Sequence, residues 1–588
     1  MELDGQLWIH DADTVRRLVR LEAIDASDTY PVVEPMDGFP KGTVIHWTLP
    51  MDWALRTLNP IGKWFYPNAR GYEAGAIIAG PALGLAAVLL MIVAGVRLFG
   101  AFAGLAIATF YAFAYGGVQS SRLGVGDHQT LQQLALLGTA LAFIAFLKRR
   151  STGLATWLAG ALLGLAVWVS TESMLFVYLW SFVAVLHMLL AEDERTAWRQ
   201  QLQASIGFVV VVAIGHLVEQ RHALLAFELD KISTLQLYQA AVLLVFVSLV
   251  RALPLRSRGQ RVFTAAGCAT ALGLALLPKA LDQFEAFAEI NVWLQEEIVE
   301  FQGLFTGLGP FVGLTKAIGT ESPLLLALPL FVFGLLVNKR MTHDLRITLA
   351  VMTVATFALE AWEVKLAHFF SIFFPIVMVC GSQPLFDRIA GRFGQAKAKL
   401  AAVTGAVVLV VCALMSMPAP YSQGSGPMIE RGWRQVCNRL AVHSGGNKDG
   451  AVLAPWDRGA HIMYYAGLPV LASGYHRNID GILAGNRVYL STKAKRAEVM
   501  RVLRERRVRW IVADYQMLFL LTAPKTLGRP ALAHWQPGGL TFHEEAGHTF
   551  FWELRYAQQV PGLRLVEEGP AIELQGVPQS LFRLYELR

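Results

Sequence analysis

The sequence predicts a polytopic α-helical membrane protein that carries a C-terminal exoplasmic α/β domain, and three observations predict it. Of 588 residues, 54% are hydrophobic and only 16% charged, against roughly 25% charged in ordinary globular chains. The apolar excess is gathered in Ala/Leu/Val/Gly/Phe blocks between about 75 and 416, and composition turns soluble-like after Pro418-Ala419-Pro420. The basic residues fall in short clusters between those blocks. A net charge of +7 distributed in this way marks cytoplasmic loops and excludes a nucleic-acid-binding patch.

Segments able to cross a hydrocarbon layer of about 30 Å are read near 75–95, 99–117, 130–147, 154–170, 174–191, 204–217, 236–253, 262–280, 323–337, 345–361, 368–383 and 400–416. The clusters are Lys148-Arg149-Arg150; Arg195 and Arg199; Arg251, Arg256, Arg258 and Arg261; Lys339, Arg340 and Arg346; and Arg388, Arg392, Lys397 and Lys399. With twelve spans all of them fall on one side, which is therefore cytoplasmic. Loops 118–129, 218–235, 281–322 and 362–367 are then exoplasmic, as are residues 1–73 and the tail from 418 to 588. An even number of spans places both ends outside, yet residues 1–73 hold no apolar signal segment. One more helix upstream of Met1 resolves the parity, giving thirteen spans. Cys268, Cys380 and Cys412 lie at spans, so Cys437 has no partner in the tail.

Acidic residues collect where the chain meets the membrane. Trp8-Ile9-His10-Asp11-Ala12-Asp13 places two carboxylates two residues apart, ahead of an amphipathic helix with Leu18, Leu21 and Ala23 among Arg16, Arg17 and Arg20. The pair suits a metal or pyrophosphate, and Asp13 equally suits a helix cap. Loop 118–129 ends Gly124-Val125-Gly126-Asp127-His128-Gln129, three possible metal donors after a tight turn, or again a cap. The long loop ends Thr320-Glu321-Ser322-Pro323, where Glu321 could bind a ligand or answer a helix dipole. Glu172, in Thr171-Glu172-Ser173 between two apolar runs, is a functional-site candidate by its depth or a residue of a short helix-to-helix turn. In the tail, Val452–Ala454 and Trp510–Ala513 read as strands, and Ala460–Ala466 and Lys493–Arg504 as helices. There, Pro455-Trp456-Asp457-Arg458-Gly459 opens a helix.

Taken in order, these elements resemble the oligosaccharyltransferase catalytic-subunit family, in the type C glycosyltransferase superfamily. Asp13 resembles the first-loop acidic motif, and Asp127-His128-Gln129 the second-loop Asp-x-Asp, Asp-x-Glu or Asp-x-His motif. Thr320-Glu321-Ser322 resembles the Ser-x-Glu-Asn or Thr-x-x-Glu element of the fifth exoplasmic loop. Trp456-Asp457 resembles the centre of the Trp-Trp-Asp-Tyr-Gly acceptor motif. The resemblance implies thirteen spans and a chain of divergent prokaryotic type in the inner or plasma membrane, with its tail periplasmic. It implies Asp13 and Glu321 as catalytic residues, and Asp13, Asp127, His128, Gln129 and Glu321 as ligands of Mg²⁺ or Mn²⁺. Trp456 and Asp457 would bind the acceptor polypeptide; Lys365 or His368 would contact the phosphate of a polyprenyl-linked saccharide donor, where relatives have an arginine.

The implied reaction is metal-dependent, inverting transfer of a glycan from a polyprenyl-(pyro)phosphate to an asparagine, with loop 281–322 closing over the acceptor. Three positions depart from the family pattern: Gln129, Pro455 and Arg458. Two alternatives follow: a related glycosyltransferase acting on a lipid or polysaccharide, and a transporter or flippase, for which ionisable residues deep in several spans are the expected mark.

Overall fold

The computed structural model describes residues 2–3, 6–27, 29–149, 153–279, 281–282, 323–394, 426–515, 519–536, 539–574 and 577–588. Loop residues 283–322, including Glu321, and the span expected at 400–416 lie outside the described residues.

Helix α1 (Ala12–Ser27) and helix α2 (Leu49–Phe65) form the first loop. Twelve helices follow: α3 (Glu73–Phe99), α4 (Ala101–Ala112), α5 (Tyr115–Ser120), α6 (His128–Arg149), α7 (Leu154–Val169), α8 (Met174–Leu190), α9 (Glu194–Glu219), α10 (Thr234–Ala252), α11 (Arg258–Leu274), α12 (Leu328–Leu336), α13 (His343–Trp362) and α14 (Ala367–Phe393). Among the described residues, seven helical segments are long and apolar enough to cross a membrane, and three shorter apolar ones accompany them.

The segment expected to span 99–117 is broken into α4 and α5. Beyond the break, a Cβ on Gly116 would lie 2.6 Å from the His368 backbone, so this glycine lets α5 press against the start of α14. Small residues act in the same way inside the bundle, where a Cβ on Gly160 of α7 would lie 1.8 Å from the Ala204 carbonyl of α9. Lipid offers helices no hydrophobic gain from associating, so close backbone contact at such residues carries much of the association. Polar caps end the segments: Asp193 accepts from the amides of Arg195 and Thr196, and Ser233 from that of Leu235, satisfying donors that the helix leaves open.

The tail builds a four-stranded sheet from β1 (Ala451–Leu453), β2 (Val508–Asp514), β3 (Leu563–Glu568) and β4 (Phe582–Leu587), ordered β1-β2-β4-β3. β1 lies parallel to β2, with Val452 opposite Trp510, and β4 is antiparallel to both β2 and β3. The run Trp510-Ile511-Val512-Ala513-Asp514 is buried throughout, as a central strand covered on both faces must be.

The tail is not a free-standing lobe. Trp8, Ile9, Val15 and Leu18 share one apolar core with Trp433, Val436, Val452, Trp510 and Phe582. Each such side chain, once buried, contributes roughly 1.5–3 kcal/mol. The first loop also feeds the tail sheet, since Val470 N–H donates to Met36 O at 2.7 Å and Phe39 N–H to Val470 O at 3.2 Å.

The arginines of the amphipathic helix α1 lie inside the fold: Arg16, Arg17 and Arg20 are all buried. Arg16 pairs with Asp37 at 2.8 Å, while Arg17 and Arg20 both pair with Asp52 at 3.0 Å. Carboxylates from elsewhere in the first loop make that burial tolerable.

Candidate active site

The start of α1 is pinned by the tail before it reaches the acidic pair. Trp8 stacks on Tyr465 and His461, at 4.5 and 5.1 Å between ring centroids, and its Nε1 donates to Glu430 at 2.6 Å. His461 Nε2 donates to the carbonyls of Ile9 and His10 at 3.1 and 3.2 Å. Burial, together with the Arg458 charge, pushes His461 down to about 3. The folded protein therefore leaves this ring unprotonated between about pH 6.5 and pH 3, where the unfolded chain binds a proton. Stability consequently falls as pH drops through that window, by at most about 1.4 kcal/mol per unit. Denaturation midpoints at pH 7 and pH 5 check this: His461→Gln should lose part of the slope that the parent shows.

The helix cap falls on Asp11, not Asp13: Thr14 N–H donates to Asp11 Oδ2 at 2.8 Å. Among the described residues the Asp13 carboxylate makes no hydrogen bond or ion pair. Thr14 Oγ1 then accepts from Gly126 N–H at 2.7 Å, which draws the second loop onto the first. The approach is close, since a Cβ on Gly126 would lie 3.1 Å from Thr14 Cγ2 and 3.2 Å from the Ala76 carbonyl. This contact sets Asp127 beside the α1 acids. Asp127 Oδ1 accepts from both the backbone and Nδ1 of His128 at 2.6 Å. Burial opposes the Asp127 charge, but His128 and Arg17 outweigh it and hold its carboxyl at about 2. Burial, Asp127 and Asp11 push Asp13 well above the usual carboxylate range, and burial with Asp127 raises Asp11.

These residues open onto a cavity of about 1260 Å³ lined by Asp13, Asp127, His128 and Gln129, with Lys365, His368, Trp456 and Asp457 on the same wall set. Residues read from four separate stretches of sequence thus meet in one chamber. Lys365 arrives with partners, its Nζ lying 2.9 Å from Glu172 and 3.5 Å from Glu363. Glu172, expected as a turn residue, does sit in a turn between α7 and α8, and it also faces the cavity. His368 donates from Nδ1 to the Lys365 carbonyl at 2.8 Å, since a carbonyl can only accept; its buried Nε2 has no hydrogen-bond partner. In the neutral ring that nitrogen offers a lone pair. Asp457 is half exposed, with Arg458 Nε at 3.3 Å. Arg458 is buried and turned to Glu430 at 3.1 Å, bracing the base under Trp8.

Three carboxylates gather here, and two of them are held above their usual range by mutual repulsion and burial. An oxygen-ligated divalent cation relieves that repulsion, so Asp13 and Asp127 fit a hard ion such as Mg²⁺ or Mn²⁺. His128 is already committed through Nδ1 to Asp127, which leaves Nε2 for any ligation. Sequence reasoning also passed over His46, Trp47, Asp230, Tyr475 and His476, all on the cavity wall. Isolated histidines on loops carry no spacing signal that could have found them.

The fold has solved counterparts. The archaeal oligosaccharyltransferase AglB from Archaeoglobus fulgidus, in complex with an inhibitory peptide and a dolichol-phosphate, aligns at TM-score 0.72 and 15% identity, covering 98% of this chain and 84% of that one. The A. fulgidus oligosaccharyltransferase tethered with an acceptor peptide containing the NVT sequon aligns at TM-score 0.74 and 16% identity, covering 100% and 85%. Its complex with Zn and sulfate aligns at TM-score 0.65 and 16% identity, covering 98% and 84%. No family model and no curated protein matches the sequence. The chain is a polytopic membrane protein, and its fold is that of the archaeal oligosaccharyltransferase.

Proposed function

We propose that this chain is a membrane glycosyltransferase that moves a glycan from a polyprenyl-(pyro)phosphate carrier to an asparagine of an acceptor protein, at the exoplasmic face of a prokaryotic inner membrane. The observation that carries the reading is the single cavity. The acidic residues of two loops, the Trp456-Asp457 pair of the tail and the Lys365–His368 segment all line it. The shared fold supports it, and the archaeal counterpart's complexes with a dolichol-phosphate and with a sequon peptide point to a lipid-linked donor and a peptide acceptor.

A divalent cation held by Asp13 and Asp127 would supply Lewis-acid stabilisation of the departing phosphate. This chain's own groups do the rest. Lys365, held by Glu172 and Glu363, would supply positive charge to the donor phosphate, with the His368 ring beside it on the same wall. Asp13, which makes no hydrogen bond or ion pair among the described residues, would accept a hydrogen bond from the acceptor amide. Trp456 and the half-exposed Asp457 offer an apolar face and a hydroxyl acceptor to a Ser or Thr side chain. A single displacement at the anomeric carbon would invert it, with Glu321 orienting the acceptor amide beside Asp13 and loop 281–322 closing over the acceptor.

A second reading has an observation in its favour. Arg458 occupies the tyrosine position of the peptide motif and is spent on Glu430, and Pro455 replaces the first tryptophan. A site altered in this way suits a lipid or polysaccharide acceptor. Incubation of the purified chain with a polyprenyl-pyrophosphate-linked sugar and an Asn-x-Thr peptide, read by mass spectrometry, separates the two. Peptide bearing one added glycan is the expected product; glycan appearing only on an added lipid or polysaccharide acceptor gives the site to the second reading.

A further inference from the structure

A second set of ligating side chains stands on the wall of the same cavity, away from the carboxylates assigned above. His46 follows the short strand Thr43–Val44 of the first loop, Asp230 lies in the connection between α9 and α10, and His476 belongs to the tail. One nitrogen of each imidazole and one carboxylate oxygen all lie within 4.8 Å of one another, the only group of three such donors this close among the described residues. The His46 and His476 ring centroids are 4.0 Å apart, and His476 Nε2 is 3.2 Å from Asp230 Oδ2.

Hydrogen bonding within the protein accounts for only part of this arrangement. The His476–Asp230 contact leaves out His46, whose ring is 7% exposed with Nδ1 making no hydrogen bond. A buried polar atom without a partner costs free energy that a ligand recovers. The protonation states suit a cation as well. Burial and the neighbouring His476 hold His46 well below its ordinary value, so its ring is neutral. Burial opposes the Asp230 charge, yet hydrogen bonds from Arg477 and His476 keep its carboxyl far below the usual range.

The surrounding charges favour a cation over an anion. Arg477 is spread over Asp230 at 2.7 Å and Glu228 at 2.5 Å, so one guanidinium answers two carboxylates. Lys231 is turned to Glu219 at 3.9 Å, and Arg16 lies over the Tyr475 ring and pairs with Asp37. Bonds of about 2.0–2.1 Å to nitrogen and oxygen in a tetrahedral shell put donors roughly 3.3 Å apart. Closing from 4.8 Å to that spacing is a side-chain adjustment. Two imidazoles and one carboxylate select zinc-class ions over Mg²⁺ and leave a fourth position.

We propose that His46, Asp230 and His476 form a second divalent-metal site, of the zinc class, that ties the first loop, the α9–α10 connection and the tail together at the wall of the cavity. The site is separate from Asp13 and Asp127 and does not depend on the acceptor or donor assigned to the chamber.

Elemental analysis and zinc X-ray absorption on the full-length protein in detergent test it. An Asp13→Asn, Asp127→Asn background removes the other candidate ligands. That protein should keep one zinc per chain after dialysis, with the scattering signature of two imidazoles. His46→Gln or His476→Gln in the same background should bring bound zinc from one to none. His46→Gln is the milder change, because the ring makes no side-chain hydrogen bond. Should either variant fail to fold, the background protein decides alone: Co²⁺ in place of zinc should give the strong visible bands of a four-coordinate nitrogen-bearing site. Retention of zinc in both histidine variants, an absence of zinc in the background protein, or only the weak bands of an all-oxygen octahedral ion overturns the proposal.

Discussion

Replacing Asp127 by asparagine is expected to lower glycan transfer roughly 10²–10³-fold, the usual loss when one charge-stabilising group is taken from a preorganised site, while the protein stays folded. Asp127 is the carboxylate of the cluster that stays ionised most firmly, at about 2, because His128 donates to it twice and Arg17 lies near. It is also a main cause of the raised Asp13 carboxyl. The amide keeps the shape and the backbone contact but removes the charge. Two consequences should appear together: the reaction loses its response to added divalent cation, and Asp13 returns towards the ordinary carboxylate range. Initial rates at saturating donor, with and without chelator, measure the first. A variant as active as the parent would show that the cluster is structural.

Replacing Asp52 by alanine is expected to destabilise the protein by about 3–5 kcal/mol. Asp52 and Arg17 are each 1% exposed and 3.0 Å apart, and Arg20 reaches the other oxygen of the same carboxylate at 3.0 Å. Removing the acid strands two buried guanidinium groups. Putting leucine at Asp52 and methionine at both Arg17 and Arg20 should recover most of the loss, because a buried ionic group replaced whole by apolar side chains is often neutral. Denaturation midpoints of the single and triple variants check the ordering. Arg17 also lines the cavity, so the triple variant should be stable yet slow.

Much of the membrane part was legible in the sequence, because a bilayer imposes length and apolarity on any helix crossing it. The segments near 75–95, 130–147, 345–361 and 368–383 all fall on helices of matching extent. The close approach of α5 to α14 at Gly116 was not legible, since the backbone it meets lies some 250 residues later in the chain. The burial of the α1 arginines was not legible for the same reason: local pattern shows only an amphipathic helix, and Asp37 and Asp52, brought in by the fold, permit that burial. Within the site, Asp13, Asp127, Trp456 and Asp457 were visible as acids and aromatics at loop ends. Which of the paired acids caps α1 was not, because either spacing suits a cap, and the backbone chose Asp11. His46, Asp230 and His476 come from three distant segments and have meaning only once those meet.

The reaction proposed for this cavity breaks the bond between a sugar and a polyprenyl phosphate. The most direct test is to follow the donor itself: purified full-length protein in vesicles containing a polyprenyl-pyrophosphate-linked sugar, with Asn-x-Thr peptide and Mg²⁺ or Mn²⁺ present. The expected result is cleavage of the donor with release of the free polyprenyl pyrophosphate, slowed roughly 10²–10³-fold by Asp127→Asn. Donor that crosses the bilayer intact at the parent's hands, with no cleavage under any metal, would contradict it and make the protein a carrier of its lipid.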